Sequence, residues 1–217
     1  MNKTDILLVS ATETECRPIF QKMADYKTIL PELYSGTLYD RSVDILISGI
    51  GAVSATFNLT KTLMNRSYNR AISIGIAGSF VDDIPLEEVV QITEDCFADL
   101  GIDNNGTFLN LREAGLTDDL TPNPSPTPSL HRQVRGITVQ TATGSQKRID
   151  ELVNRYQPEV ETMENAAFFY VCHKMQIPFT SFRAISNKVE PRNREKWHIT
   201  EAIEKINLAV CDLFFKK

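Results

Sequence analysis

The stretch from residue 160 to residue 187 constrains the fold more than any other part of this chain, because it alternates strand and helix patterns within 28 residues. A short β-rich run covers residues 160–162, and a run of small and aromatic residues at 166–172 predicts a buried helix. Pro178 then opens a second predicted strand over residues 179–185. The pattern indicates an α/β fold.

The same alternation runs along the rest of the chain. It predicts strands over residues 6–10, 34–39, 43–47, 70–76, 89–93 and 136–141, and helices over residues 13–23, 53–64, 147–156 and 197–215. A length of 217 residues with 42% hydrophobic content suits a single domain over residues 1–217. Alternating prolines exclude helix and central strand from the loop at residues 116–129, which is either a solvated excursion or a flap over a site.

Composition excludes several functional classes. A formal charge of −5 offers no basic footprint for a polyanion, so we expect a small-molecule substrate and no nucleic-acid partner. The apolar run near the start is too short for a signal peptide, which predicts a cytoplasmic protein without a membrane segment. Four cysteines without C-x-x-C spacing argue against a metal knuckle or a disulfide framework, and we expect no metal or cofactor.

Polar side chains stand where the last two predicted strands end. Glu164 follows the first of these strands, and Arg183, Ser186 and Asn187 lie at the end of the second. Ligands of α/β sheets bind outside the carboxyl ends of strands, so these residues are candidates for one crevice. Two simpler interpretations stay open: Glu164 caps the following helix, and Asn187 is a turn residue.

Earlier strand ends carry an acidic run and two glycine-bearing segments. Glu13 and Glu15 follow the first strand, where they are either functional carboxylates or first-turn acids that favour a helix dipole. Glycines at residues 49–51 and 75–79 permit close backbone approach to a ligand. Neither segment completes a dinucleotide fingerprint or a P-loop, so a nicotinamide or ATP site has little support.

Several of these segments resemble the nucleoside phosphorylase and nucleosidase superfamily. The matching residues are Glu161-Thr162-Met163-Glu164 with Ala166-Ala167, Arg183-Ala184-Ile185-Ser186, and both glycine segments. The resemblance implies a three-layer αβα domain with a central mixed, partly barrel-like sheet, and a homodimer whose neighbouring subunit closes each pocket. Glu15 resembles the glutamate that activates water in hydrolytic members, where phosphate-using members have a glycine-containing loop and an arginine.

The resemblance also implies roles for individual residues. Glu164 would accept hydrogen bonds from the ribose hydroxyls, Met163 would pack on the sugar, and Arg183 would hold Glu15 and the attacking water. Ile76 stands where the nucleosidases often have serine, so its side chain cannot donate a hydrogen bond to that water. Ala77, Gly78, Phe80 and Ser186 are also expected to bind the substrate. The purine stacks either on Phe80 or on residues near Gly144-Ser145-Gln146, and the sequence does not choose between them.

Asn187 stands where adenine-releasing nucleosidases have aspartate. An amide can accept a hydrogen bond from protonated N7 and donate one to an exocyclic O6, which favours a 6-oxopurine as the leaving group. Hydrolysis combined with a 6-oxopurine is similar to the futalosine hydrolases of the alternative menaquinone pathway, which release hypoxanthine. Residues 97–101 and 186–194 with Trp197 also resemble segments of that family.

Arg192, Arg194 and Trp197 fit the aromatic carboxylate that futalosine carries at its 5′ end. The alternative is a solvated basic turn beside a core tryptophan. The sequence thus predicts a futalosine-hydrolysing nucleosidase. The alternatives are another purine nucleosidase or phosphate-dependent phosphorylase of the same fold, and a nucleoside-binding module without catalysis.

Overall fold

The computed structural model describes residues 4–116 and 130–216. Its strands are β1 Thr4–Ser10, β2 Ala24–Leu30, β3 Leu33–Leu38, β4 Arg41–Ile47, β5 Tyr68–Ser79, β6 Val89–Glu94, β7 Gly101–Asn104, β8 Thr107–Asn110, β9 Arg132–Thr138, β10 Val160–Thr162 and β11 Phe179–Lys188. Its helices are α1 Glu13–Phe20, α2 Ala52–Asn65, α3 Gln146–Tyr156, α4 Asn165–Lys174 and α5 Ile199–Phe214, with a 3₁₀ turn over Arg194–Lys196. The predicted Pro-rich loop lies outside the described residues except for Leu116.

Nine strands form one mixed sheet in the order β10-β9-β6-β11-β5-β1-β4-β3-β2. The strands β4, β1, β5 and β11 run parallel, whereas β6 is antiparallel to β11 and β3 is antiparallel to β4. β10 pairs with β5 as well as with β9, so five of the strands close into a ring. The predicted α/β class with a mixed, partly barrel-like sheet is confirmed.

Helices cover both faces of this sheet. On one face, α2 and α4 bury Leu59 and Phe168 against Leu7 of β1. On the other face, α1 and α5 bury Ile19 and Ile206 against the neighbouring residue of β1, Leu8. Successive side chains of a strand point to opposite faces, so a strand buried on both sides becomes continuously apolar, as β1 is. None of the helices in the described ranges is long and apolar enough to span a membrane.

The structure corrects several predicted element boundaries. β2 and the β7–β8 hairpin were not predicted, because most of their side chains are exposed or half-buried and carry no strong apolar pattern. Helix α1 ends at Phe20 and not at residue 23. Both β5 and β11 run three residues further than predicted, so the second glycine segment and Asn187 belong to strands.

Candidate active site

Three charged side chains from distant parts of the chain line one small enclosed cavity. They are Glu15 from α1, Glu164 from the junction between β10 and α4, and Arg183 from β11. The cavity measures about 10 Å³, close to the smallest space that holds one water molecule. The rest of its lining is mainly apolar and comes from β5, α2, α4 and the ends of β1 and β4. The fold therefore places two carboxylates and one guanidinium around a space that holds about one water molecule.

Glu15 both caps its own helix and faces this cavity. Its Oε2 accepts hydrogen bonds from the backbone nitrogen of Thr12 at 3.0 Å and from the Thr12 hydroxyl at 2.9 Å, which completes a capping box. Its Oε1 accepts a hydrogen bond from the backbone nitrogen of Ile76 at 3.2 Å. A Cβ atom on Gly75 would lie 2.8 Å from Oε1, so the glycine makes room for the carboxylate. The two interpretations of Glu15 are compatible.

Ile76 contributes its backbone to the site and not its side chain. The side chain packs against the apolar cluster beneath α1 and α5, while its amide hydrogen bonds Glu15. The hydroxyl donor that a serine would bring is thus absent at this position, and a backbone donor orients the carboxylate directly.

Arg183 is buried and held by neutral partners. Its Nη1 donates to the Ser181 hydroxyl at 3.0 Å and to the carbonyl of Phe182 at 2.9 Å, and its Nη2 donates to the Ser73 hydroxyl at 2.9 Å. Burial lowers the pKa of Arg183, and the charges of nearby carboxylates, with Glu164 the strongest, act in the opposite direction. A guanidinium stays charged in proteins, so the cavity contains a fixed positive charge.

Glu164 occupies the N-cap position of α4, yet its side chain makes no capping hydrogen bond to that helix. Its Oε1 instead accepts a hydrogen bond from the backbone nitrogen of Gly51 at 2.8 Å, at the start of α2. Burial raises the pKa of Glu164, and the Gly51 hydrogen bond and the charge of Arg183 oppose that rise. The carboxylate joins the start of α2 to the cavity, which simple helix capping does not explain.

A β-bulge near the end of β11 positions Asn187. Ile185 of β11 pairs with Ala77 of β5, but Asn187 pairs with Gly78, so Ser186 is the extra residue. The Asn187 Oδ1 accepts a hydrogen bond from the Ser186 hydroxyl at 2.8 Å, and its Nδ2 donates to the carbonyl of residue 188 at 2.9 Å. The amide is therefore oriented, while one N–H and one lone pair remain for a ligand. Asn187 is a bulge residue within a strand and not part of a turn.

Half-buried Phe80 and Met163 belong to one apolar cluster with Ile137 and Leu152.

Sequence reasoning assigned no role to a neighbouring carboxylate, Glu161, which is buried and accepts hydrogen bonds from the backbone and the hydroxyl of Thr143. Burial raises the pKa of Glu161. Its position in the Glu-Thr-Met-Glu segment was visible in the sequence, but its partner lies 18 residues away.

The arginines of the last predicted group are exposed, and they stack on the half-buried ring of Trp197. The guanidinium carbons of Arg192 and Arg194 lie 5.2 and 5.7 Å from the ring centroid. The backbone nitrogen of Arg192 donates to the carbonyl of Gly144 at 3.3 Å. Within the described residues, no hydrogen bond or ion pair joins either arginine to the carboxylates of the cavity. Trp197 is not a core residue, and the group borders the Gly144 loop.

No group of three or more His, Cys, Asp or Glu side chains in residues 4–116 and 130–216 is arranged to hold a metal ion. The side chains of the candidate site offer the carboxylates of Glu15 and Glu164, the Arg183 guanidinium and the oriented amide of Asn187. Carboxylates can accept a proton from water and stabilise developing positive charge, and the amide can bind a heterocycle edge.

Comparison with known proteins gives consistent matches over most of the chain. A family model described as the Phosphorylase superfamily matches residues 5–214. Futalosine hydrolase from Streptomyces coelicolor is 29% identical over 182 residues, which cover 78% of this chain and 77% of that protein. The 5′-methylthioadenosine/S-adenosylhomocysteine nucleosidase from Anoxybacillus flavithermus is 27% identical over 197 residues, which cover 84% of this chain and 85% of that protein.

A solved structure has the same fold. The 5′-methylthioadenosine/S-adenosylhomocysteine nucleosidase from Colwellia psychrerythraea, in complex with adenine, aligns with a TM-score of 0.83 at 17% sequence identity. The alignment covers 97% of this chain and 94% of that chain.

Proposed function

Because the chain belongs to the phosphorylase superfamily, we propose that it hydrolyses the N-glycosidic bond of futalosine and releases hypoxanthine and dehypoxanthine futalosine. The coarser activity, N-glycosidic hydrolysis of a purine nucleoside, is that of the named relatives, and this chain is a hydrolase of that type. The observation that carries the finer proposal is Asn187, an oriented amide at the β11 bulge.

Glu15 is the proposed general base. Its Oε1 faces the cavity beside Gly75, and the hydrogen bond from Ile76 orients it. As water attacks C1′ of the ribose, one water proton moves to Glu15 while the C1′–N9 bond breaks. The Nε atom of Arg183 lies near the same point, 3.5 Å from where a Cβ on Gly75 would be, and Arg183 is proposed to hold the water. Two carboxylates against one guanidinium disfavour a phosphate nucleophile by Coulomb repulsion, which supports hydrolysis over phosphorolysis.

Glu164 is the proposed sugar ligand. Its carboxylate would accept hydrogen bonds from the 2′ and 3′ hydroxyls of the ribose, with Met163 packed on the sugar. Cleavage passes through a ribosyl cation, and a fixed negative charge near the ring stabilises that cation more than the neutral substrate. The bond from Gly51 favours the ionised form of Glu164.

Asn187 is the proposed base ligand. As the C1′–N9 bond breaks, N7 of hypoxanthine takes up a proton from solvent, because a neutral amide is not an acid. The Asn187 Oδ1 would accept a hydrogen bond from that N7–H and its second N–H would donate to O6, in the orientation that the Ser186 hydroxyl holds. Ala77, Gly78 and Phe80 would form the surrounding wall. A departing hypoxanthine that gains two hydrogen bonds is a better leaving group.

The 5′ arm of futalosine would lie against Arg192, Arg194 and Trp197. Guanidinium groups bind carboxylates and an indole stacks on an aromatic ring, so the exposed group suits a benzoate. Arg192 and Arg194 are exposed, so a ligand can reach them from solvent.

A second copy of this chain is the proposed partner. The outer face of α2 presents Val53, Phe57 and Met64 with 80%, 65% and 74% of their surface exposed. Large exposed apolar patches mark interaction surfaces. Helix α2 begins beside Gly51, which holds Glu164, so a copy packed on this face would adjoin the pocket. Light scattering should give the mass of a dimer for the wild type and of a monomer for Phe57→Glu; a monomeric wild type would contradict this proposal.

A panel of futalosine, inosine, 5′-methylthioadenosine and S-adenosylhomocysteine, each with and without phosphate, tests the proposed substrate. We expect release of hypoxanthine from futalosine, little release from inosine, and no phosphate requirement. Preferential release of adenine would instead assign the chain to the methylthioadenosine-cleaving type, which the similarity to that nucleosidase favours as the second candidate. Tight binding without base release would identify a binding module.

A further inference from the structure

A buried polar network that none of the proposed roles uses lies behind Arg183. It begins at Asp95, which directly follows β6 and is 5% exposed. The Oδ2 of Asp95 accepts a hydrogen bond from Nδ2 of Asn165 at 2.8 Å, and its Oδ1 accepts one from the Thr138 hydroxyl at 2.9 Å. A buried carboxylate is costly unless it is well paired, so its retention here needs a reason.

One branch of the network leads to the cavity. The Asn165 Oδ1 accepts a hydrogen bond from the Ser181 hydroxyl at 2.5 Å, and the same hydroxyl oxygen accepts one from Arg183 Nη1 at 3.0 Å. Arginine can only donate, so the Ser181 proton must point to Asn165. Asn165 then presents its oxygen to Ser181 and its NH₂ group to Asp95. The donor and acceptor of each hydrogen bond from Arg183 to Asp95 are therefore fixed, and Asp95 must accept the last one.

The second branch leads to the start of α4. The Thr138 hydroxyl accepts a hydrogen bond from the backbone nitrogen of Ala166 at 2.8 Å, two residues after Glu164. The fold also makes room for the carboxylate, because a Cβ atom on Gly136 would lie 2.8 Å from Asp95 Oδ2. Asp95 therefore connects to both Arg183 and the turn that carries Glu164.

We propose that Asp95 is a positioning residue for the hydrolysis, and that it holds the Arg183 guanidinium through Asn165 and Ser181. This inference rests on the proposed function of the same site. Asp95 touches no reacting atom in this account. It acts by fixing the guanidinium that holds the water and the helix start that presents Glu164.

The charge of Asp95 is part of this role. Burial raises the pKa of Asp95 to about 7, and the hydrogen bonds from Asn165 and Thr138 and the charge of Arg183 act against burial. β9 and α4 present neutral groups to Asp95, β11 presents Arg183, and Glu15 and Glu164 act on Arg183 from the cavity. Ionised Asp95 accepts hydrogen bonds from both Asn165 and Thr138. As the pH rises through about 7 and Asp95 ionises, Arg183 should be held more firmly, and kcat should rise.

Asp95→Asn tests the proposal, because it keeps the shape but removes the negative charge and leaves one acceptor oxygen where Asn165 and Thr138 each donate a hydrogen bond. We expect kcat to fall roughly 10- to 100-fold with a smaller change in KM, since misplacing a positioning group costs that much. The rise of kcat near pH 7 should disappear. The double variant Asp95→Asn with Asn165→Asp lets every hydrogen bond re-form and returns the negative charge, so it should recover much of the lost kcat.

Asp44→Asn is the matched control. Asp44 is also buried and accepts a hydrogen bond from the Tyr68 hydroxyl at 2.8 Å, but it lies on β4 away from the cavity. Its variant should lower the melting temperature and leave kcat and its pH dependence unchanged. If Asp95→Asn behaves in the same way, or if the double variant recovers nothing, the positioning role is wrong.

Nitrogen-15 NMR of the arginine side chains separates this inference from the proposed function. The Arg183 signal, assigned by its loss in Arg183→Lys, should titrate with a midpoint near pH 7 in the wild type without any substrate. A wild type that cleaves no nucleoside, with an Arg183 titration that Asp95→Asn abolishes, would overturn the function and keep the link between Asp95 and Arg183. An Arg183 signal that is the same in the wild type and in Asp95→Asn between pH 6 and pH 8, whether or not nucleosides are cleaved, would overturn the link.

Discussion

The two ends of the candidate site are built differently. At the cavity end, Glu15, Glu164 and Arg183 are held by hydrogen bonds with the N-caps of α1 and α2 and with residues of β5 and β11. At the far end, Arg192 and Arg194 are exposed and rest on the Trp197 ring, and a backbone hydrogen bond ties their segment to the Gly144 loop. The first end is preorganised by the fold, and the second is a surface loop.

The difference indicates how reaction and substrate choice are divided. Fixed charges in a water-poor cavity stabilise a transition state without reorganising, so the chemistry belongs to the rigid end. Exposed side chains can be exchanged without damage to the fold, so recognition of the 5′ arm belongs to the loop. Substitutions should therefore change kcat at the first end and substrate preference at the second, with Asn187 between them.

The largest effect is expected for Glu15→Gln. The amide keeps the shape but cannot take a proton from water, and general-base assistance contributes about 10²–10⁴ in rate. Single-turnover assays should show that loss in kcat, with substrate binding mostly retained. Glu13→Gln is the control, because Glu13 is an exposed acid on the same first turn. Equal rates for the two variants would assign Glu15 to helix capping alone.

Glu164→Gln should lower kcat by about 10²-fold, because the lost charge acts mainly on the cationic transition state. The Gly51 hydrogen bond can be retained by the amide oxygen, so a large change in melting temperature is not expected. The measurement is kcat and KM for futalosine beside a thermal melt. A variant that melts earlier but turns over normally would show that Glu164 is structural.

Asn187→Asp should change which base is released. The carboxylate removes the N–H that pairs with O6, so hypoxanthine release should fall and adenine release from the 6-amino analogue should appear. We expect the ratio of the two rates to change by at least about tenfold, because sites that pair a polar group discriminate strongly against its loss. An unchanged ratio would mean that Asn187 does not contact the base edge.

The smallest effect is expected for the double variant Arg192→Ala with Arg194→Ala. It removes the cations proposed for the substrate carboxylate, so the preference for futalosine over inosine should narrow by about tenfold or less, as is typical of solvent-exposed ion pairs. kcat for inosine should not change. If the preference survives, the arm is bound elsewhere, and the division between the two ends must be redrawn.

Most of the fold was predictable from hydrophobic pattern. Strand β1, which is buried on both faces, and the buried helix α4 contain continuous apolar runs, and such runs are typical of buried elements. β2 and the β7–β8 hairpin were missed because exposed strands carry little apolar signal. Sheet closure by the three-residue β10 depends on its pairing with β5, which no local pattern encodes.

The candidate site was predictable only where residues stand at strand ends. Glu15, Glu164 and Arg183 were predicted from such positions together with the family resemblance, although Arg183 lies inside β11. The contact of Glu164 with Gly51 could not be predicted, because it joins residues 113 positions apart. The bulge at Ser186 arises from cross-strand pairing with β5, so the strand was predicted to end too early. The hydrogen bond between Asp95 and Asn165 joins residues 70 positions apart, and the local sequence around either residue does not predict it.

Turnover of futalosine in H₂¹⁸O, with and without phosphate, tests the central claim that a rigid carboxylate site directs water to the glycosidic carbon. We expect free hypoxanthine at a rate independent of phosphate, and one ¹⁸O atom on C1′ of the dehypoxanthine product. A sugar 1-phosphate, a requirement for phosphate, or the absence of label on C1′ would contradict it.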